Sequence, residues 1–101
     1  MRGVENNPAE SRFELAINGS DAVAAAYYRM KGDRFVLTHT IVPDRFSGRG
    51  VGLALARGVF DEIRASGRKV ILICPFMTAF YARHPKYAEI VVGNGRTEEP
   101  V

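Results

Sequence analysis

The sequence predicts a mixed α/β domain in which one twisted, mainly antiparallel sheet of about four strands carries two helices. Three observations lead there. The first half of the chain holds three strand-like runs joined by tight turn signals, and the second half holds one long amphipathic helix followed by a further strand-like run and a short helix. With 101 residues, 47% hydrophobic and 25% charged, the chain has material for one hydrophobic core and not for two.

"RFELAIN" alternates Phe13, Leu15 and Ile17 with Glu14 and Ala16, the period of a half-buried strand, and "NGSD" supplies turn chemistry after it. The alanines of "AVAAAYYRM" favour a helix. The turn before this run and the "KGD" turn after it favour a strand, which is the expectation taken. "RFVLTHTIV" is nearly continuous in its apolar and β-branched character and suits a central strand ending at Pro43.

From Gly50 to Ser66 the residues Val51, Leu55, Val59 and Ile63 recur every four positions, with Arg57, Asp61, Glu62 and Arg64 on the other face. Gly67 stands where a left-handed residue ends a helix, and Arg57 with Asp61 is an i,i+4 pair. Gly58 costs a helix interior about 1 kcal/mol relative to alanine, so close packing against the sheet is expected there. "KVILIC" reads as a short buried strand, "FMTAFYAR" as a short helix, and "KYAEIVV" as a last strand or irregular segment. Strand, glycine loop, helix and strand make a βαβ unit with one parallel pair, whose ligand side is the carboxyl end of the strands. Residues 1–11 and 94–101 are polar and are expected to fray around a single domain at 12–93.

The net charge of +3, without a run of like charges, gives weak preference to an anionic small molecule. No basic stripe with interleaved aromatics occurs, which argues against nucleic acid as a partner. A single cysteine, Cys74, excludes an intramolecular disulfide, and no metal-ligand spacing is present, so no metal is expected. Neither a signal peptide nor a membrane span is legible, and a cytoplasmic setting is expected.

The segment "HTIVPDRFSGRGVGLAL" (His39 to Leu55) carries the chemistry. A loop without side chains at a helix N-terminus presents unpaired amides to a phosphate, although a plain strand-helix turn has the same composition. A Walker loop requires Gly-Lys-Ser/Thr where this chain has Gly-Val-Gly-Leu, and a dinucleotide fingerprint requires glycine at position 53, which is Leu53. Arg45-Phe46-Ser47-Gly48-Arg49-Gly50 instead has the form Arg/Gln-x-x-Gly-x-Gly/Ala, directly after a strand and opening a helix. His39-Thr40 and Val42-Pro43 precede it, and Cys74-Pro75-Phe76 and Arg83-His84-Pro85 follow, with Tyr87 two residues on.

In this order the motifs resemble the GNAT superfamily of acetyltransferases, in particular a subfamily of short members without the N-terminal helices of larger ones. The resemblance runs from about Phe13 to Val92 and implies a minimal GNAT-like acyl-CoA N-acyltransferase fold. It further implies coenzyme A or acetyl-CoA as co-substrate and transfer of the acetyl group to an amine of a small molecule or protein. Ile41 and Val42 would offer backbone groups to the pantetheine arm. The amides of Ser47, Gly48, Arg49, Gly50, Val51 and Gly52 would hold the pyrophosphate, with Arg45 or Arg49 adding charge. Gly48 and Gly50 are expected to face it, while Gly52 eases helix packing.

Cys74 is either a small buried hydrophobe at a strand end or a thiol beside the thioester, acting as a cofactor contact or nucleophile. Tyr81, in "FYARHPKY", resembles the tyrosine that protonates the departing thiolate in larger members, although short members are expected to carry an aromatic residue without a hydroxyl one place earlier, at Phe80. His39 is either a proton relay or a hydrogen-bonded structural histidine, and His84, held extended by Pro85, is expected to be structural. A non-catalytic coenzyme A-binding or sensing module is the alternative function. So short a chain is expected to be a monomer or weak homodimer with a shallow, open acceptor site.

Overall fold

The computed structural model describes residues 3–94 and contains one six-stranded sheet in the order β1-β2-β3-β4-β5-β6. The strands are β1 (Glu5–Asn7), β2 (Arg12–Ala16), β3 (Val23–Lys31), β4 (Arg34–Ile41), β5 (Lys69–Leu72) and β6 (Val91–Asn94). Helix α1 (Val51–Ala65) links β4 to β5, and α2 (Pro75–Arg83) leads from β5 towards β6 through a 3-10 turn at Pro85–Ile90. Strands β1 to β4 are antiparallel. β4, β5 and β6 are parallel, so there are two parallel pairs where the sequence suggested one.

The two strands beyond the four expected are the short edge strands: β1, which the sequence does not suggest, and β6, the strand alternative for the segment ending at Val92. β1 is "ENN", which has no apolar alternation; it is held by side chains, with Tyr28 donating its hydroxyl to Asn6 Oδ1 at 2.7 Å and Asn7 donating to Glu14 Oε2 at 2.9 Å. Residues 5–10 of the stretch expected to fray are thus a strand and a 3-10 turn. β6 was hidden in a segment whose preceding six residues form that other 3-10 turn. The expected C-terminal tail lies outside the described residues beyond Asn94.

Alternation assigns the faces. Phe13, Leu15 and Ile17, Ala24, Ala26 and Tyr28, and Phe35 and Leu37 join Leu55, Val59, Phe60, Ile63, Met77 and Phe80 in one core. The alanine-rich run is a strand because its small side chains let α1 pack closely on β3, which outweighs their helix propensity. Gly67 has φ +77° at the end of α1. Gly58 does mark a close approach, but to the N-terminal segment: an added Cβ would lie 2.3 Å from Val4 Cγ2. Asp61 pairs with Arg64 at 3.2 Å, where the sequence suggested Arg57, and also accepts the Tyr87 hydroxyl at 2.7 Å.

Both helices belong to that single core; on the opposite face Ala25, Val36 and Ile71 are also buried, outside that cluster, while the residues around them are more exposed. That face carries Arg12, Glu14, Tyr27, Arg29, Arg34, and His39, placed there by cross-strand register.

Candidate functional site

β4 and β5 part company halfway along. Their pairing runs from Arg34 with Lys69 to Leu37 with Leu72, and the Leu37 carbonyl then accepts both Ile73 N at 3.0 Å and Cys74 N at 2.9 Å. From Thr38 to Ile41, β4 continues beside β3 alone. The cause is a bulge: Tyr28 pairs with Leu37 and Tyr27 with His39, leaving Thr38 as the extra residue. Thr38 Oγ1 fixes the bulge by donating to the Tyr27 carbonyl at 3.2 Å. The backbone edge of β4 is therefore open at the end towards which the glycine loop leads.

At that end lies a cleft of about 450 Å³, lined by Thr40, Val42, Phe46, Leu53 and Phe76 and by the loop residues Ser47, Gly48, Gly50 and Gly52. Gly48 and Gly50 have φ +79° and +77°, values that L side chains rarely adopt. Gly50 is the N-cap of the 15-residue α1, with no side-chain cap and no acidic residue in the first turn. The first helical amides thus keep their hydrogen-bonding capacity and the positive end of the helix dipole is not neutralised locally. Gly52 sits inside the helix, where a Cβ would come within 3.0 Å of Phe76 Cζ, so its role is the approach of α2.

The two arginines flank the cleft and do not enter it. Arg45 donates to Ser20 Oγ at 3.1 Å, and the Arg45 and Arg49 guanidinium carbons lie 5.0 and 5.8 Å from the centroid of the Phe46 ring. Val51 is buried beneath the loop, and the side chain of Ile41 is half exposed on the opposite face.

Cys74 is buried in the core at the N-cap of α2. Its sulfur lies 3.3 Å from Thr40 Oγ1, so it backs a residue of the cleft wall and does not line the cleft itself. Tyr81 is half-buried against the core on α2 and is not among the cleft residues. Its hydroxyl has no hydrogen-bond partner among the described residues. His84 stacks on Phe80 with centroids 4.1 Å apart, and its Nδ1 lies 2.9 Å from the Phe80 carbonyl, which is a structural placement.

His39 is exposed on the face opposite the helices and stacks on Tyr27 with centroids 4.5 Å apart and planes 5° from parallel. Its Nδ1 is 3.2 Å from Thr38 Oγ1. Because the single hydroxyl proton of Thr38 goes to the Tyr27 carbonyl, a neutral His39 donates from Nδ1 and presents Nε2 as an acceptor. Tyr27 is itself held by Arg12 Nη1 at 2.8 Å, and Arg12 Nε pairs with Glu14 at 2.6 Å. The bonds from Arg12 and then Asn7 hold the Glu14 carboxyl below its ordinary pKa.

The family model of GCN5-related N-acetyl-transferases matches residues 12–90. The chain belongs to that family. Among its relatives, Protein NATD1 of Danio rerio is 30% identical over 92 residues, covering 88% of this chain and 84% of that one. Protein NATD1 of Mus musculus is 31% identical over 83 residues, 81% of this chain and 76% of that one. The Homo sapiens protein of the same name is 31% identical over the same length, 81% of this chain and 74% of that one.

For a GCN5-related N-acetyl-transferase domain, sequence reasoning named the loop but missed much of the cleft wall. Phe46, Leu53 and Phe76 are its apolar lining, and Leu53 and Phe76 are 45% and 43% exposed, more than large apolar side chains of a helix usually are. Leu53 breaks the four-residue apolar repeat of α1, which is the one signal that would have singled it out. Thr38 and Tyr27 gave no signal, since a bulge is set by pairing and not by composition.

Proposed function

We propose that this domain binds acetyl-CoA in the glycine-loop cleft and transfers the acetyl group to an amine. The observation that supports this most is the uncapped α1 N-terminus, approached by two left-handed glycines and opening onto the unpaired edge of β4. The amides from Ser47 to Gly52 hold the diphosphate, and Arg45 and Arg49 raise the local positive potential. The open backbone of Thr40 to Val42 takes the amide-rich arm as a partial strand, with Phe46, Leu53 and Phe76 covering its apolar parts. Bound acetyl-CoA supplies an activated acyl group as a thioester.

His39 Nε2, an exposed acceptor at the splayed end, takes the proton of the attacking amine as the amine nitrogen bonds the acetyl carbon and the carbon–sulfur bond breaks. Coenzyme A leaves as the thiolate and is protonated by solvent. Thr40, backed by Cys74, places a hydroxyl on the cleft wall. Cys74 and Tyr81 serve packing in this scheme, which departs from the nucleophile and acid that the sequence suggested for them.

Thermal melting with acetyl-CoA, ATP and NAD at equal concentration tests the cleft. Selective stabilisation by acetyl-CoA is expected, rising with concentration by mass action, and no shift with any coenzyme A species sinks the proposal. Thiol release across a panel of amines tests the transfer. The burial of Cys74 and the position of Tyr81 outside the cleft favour a second reading, a coenzyme A-binding module without turnover. Binding without thiol release on any amine would select it.

A further inference from the structure

The cleft continues into a second groove between α1 and α2. The two share Leu53 and Phe76, and the second is lined further by Ala79, Phe80, Arg83 and His84 around a volume of about 130 Å³. Its near end is apolar, because Leu53 and Phe76 are large exposed side chains and Ala79 beside them adds little bulk. Its far end is cationic. Arg83, in the last turn of α2, is exposed and has no hydrogen bond, ion pair or ring contact among the described residues. His84 directs Nδ1 at the Phe80 carbonyl, which can only accept, so a ring proton sits there and Nε2 stays available. No acidic side chain lines the cleft or this groove.

We propose that the groove holds the nucleotide end of the coenzyme, with the adenine over Leu53, Phe76 and Ala79 and the 3′-phosphate at Arg83. Resting on the acetyl-CoA reading of the cleft, this makes Arg83 the residue that selects a 3′-phosphorylated nucleotide. Continuity sets the direction. With the amide-rich arm on the β4 edge and the diphosphate on the loop amides, the adenosine leaves the cleft beside the first turn of α1, where Leu53 and Phe76 stand. From Phe76 to Arg83 α2 rises about 10 Å at about 1.5 Å per residue, the scale of one nucleoside. A phosphomonoester accepts from two guanidinium N–H groups at once, and the lack of acids in the groove leaves Arg83 for it. A planar base suits the apolar end, since stacking on an exposed ring needs no hydrogen bond. A groove of similar volume on the other side of the loop shares only Phe46 with the cleft, and its cation, Arg49, already lies over that ring.

Titration calorimetry of the full chain with coenzyme A and with 3′-dephospho-coenzyme A tests this, because the two ligands differ by that phosphate alone. Coenzyme A is expected to bind at least ~10-fold tighter, the scale of one charge-assisted pair. Arg83→Gln should shrink the difference to less than ~2-fold by weakening coenzyme A alone, with melting of the free protein unchanged because the side chain is exposed. Arg49→Gln should weaken both ligands alike and keep the difference. Amide shifts of the two bound forms should differ at Arg83 and His84 and agree from Ser47 to Gly52.

Equal affinity for the two ligands, an unchanged difference in Arg83→Gln, or loss of the difference in Arg49→Gln would overturn the inference. The last result would put the nucleotide in the groove on the other side of the loop. Each of these outcomes leaves coenzyme A binding in the cleft standing. Absence of binding by either ligand would instead remove the acetyl-CoA reading, and this inference with it.

Discussion

The two faces of β4 are built from the same eight residues and do opposite things. Phe35 and Leu37 point into a core shared with both helices, whereas Arg34 and His39 are exposed on the other face, with the buried Val36 between them. Up to Leu37 simple alternation divides these roles. At Thr38 the bulge adds one residue, so that His39 takes the other face and Thr40 the cleft. One inserted residue therefore sets both the opening between the strands and the side from which each chemical group is reached. Changes in the shared core should cost stability, whereas changes at the exposed Arg34 and His39 should not; Val36, buried between them, belongs with the first group.

The largest effect is expected at Phe60, which packs against Phe80 and Tyr87 at centroid distances of 5.2 and 5.0 Å. Phe60→Ala should destabilise the fold by about 3–5 kcal/mol in denaturant titration. A loss below about 1 kcal/mol would mean that the helices are not one core with the sheet.

Gly58 comes next. Gly58→Ala should cost about 1–2 kcal/mol, since the overlap with Val4 outweighs the gain in helix propensity. In a Val4→Ala background the same change should become neutral or stabilising, and equal effects in both backgrounds would contradict the packing of the N-terminal segment on α1.

Tyr87 sharpens the comparison by pH. Burial first, and then the bond to Asp61, push its phenol up to about 12. A raised value means that the neutral phenol is favoured by folding, so its contribution is complete below about 10 and is lost as pH rises towards about 12. Burial raises the Tyr28 phenol as well, so ultraviolet titration should show more than one late phenol, and Tyr87→Phe should remove the one near 12 at a cost of about 1 kcal/mol near neutrality. Equal alkaline stability of the two proteins would contradict this.

The smallest effect on stability is expected at His39. His39→Ala should leave stability within about 0.5 kcal/mol, as for other exposed sites. Under the proposed mechanism, turnover of a suitable amine falls about 100-fold. A large drop in melting temperature would show that the Tyr27 stack is structural.

Much of this architecture is legible in the residues. The four-residue repeat of Val51, Leu55, Val59 and Ile63 gives α1, and Gly48, Gly50 and the strand before them give the loop, because both depend on local patterns. β6 was open between a strand and an irregular segment, and β1 was not legible at all, since three polar residues become a strand only by hydrogen bonding to a neighbour. The same holds for the site. The placement of Thr40 against Cys74 and of His39 on Tyr27 depends on register across strands, and register is shifted by a bulge that no composition signals.

The central claim is that the open edge of β4 and the glycine loop form one binding site for acetyl-CoA. Amide chemical shifts followed during an acetyl-CoA titration test it residue by residue. The expected result is saturable movement concentrated at Ser47 to Gly52 and Thr40 to Val42, with little change along β1 and β2. Absence of saturable shifts, or shifts confined to the surroundings of Arg29 and Arg34, would contradict it.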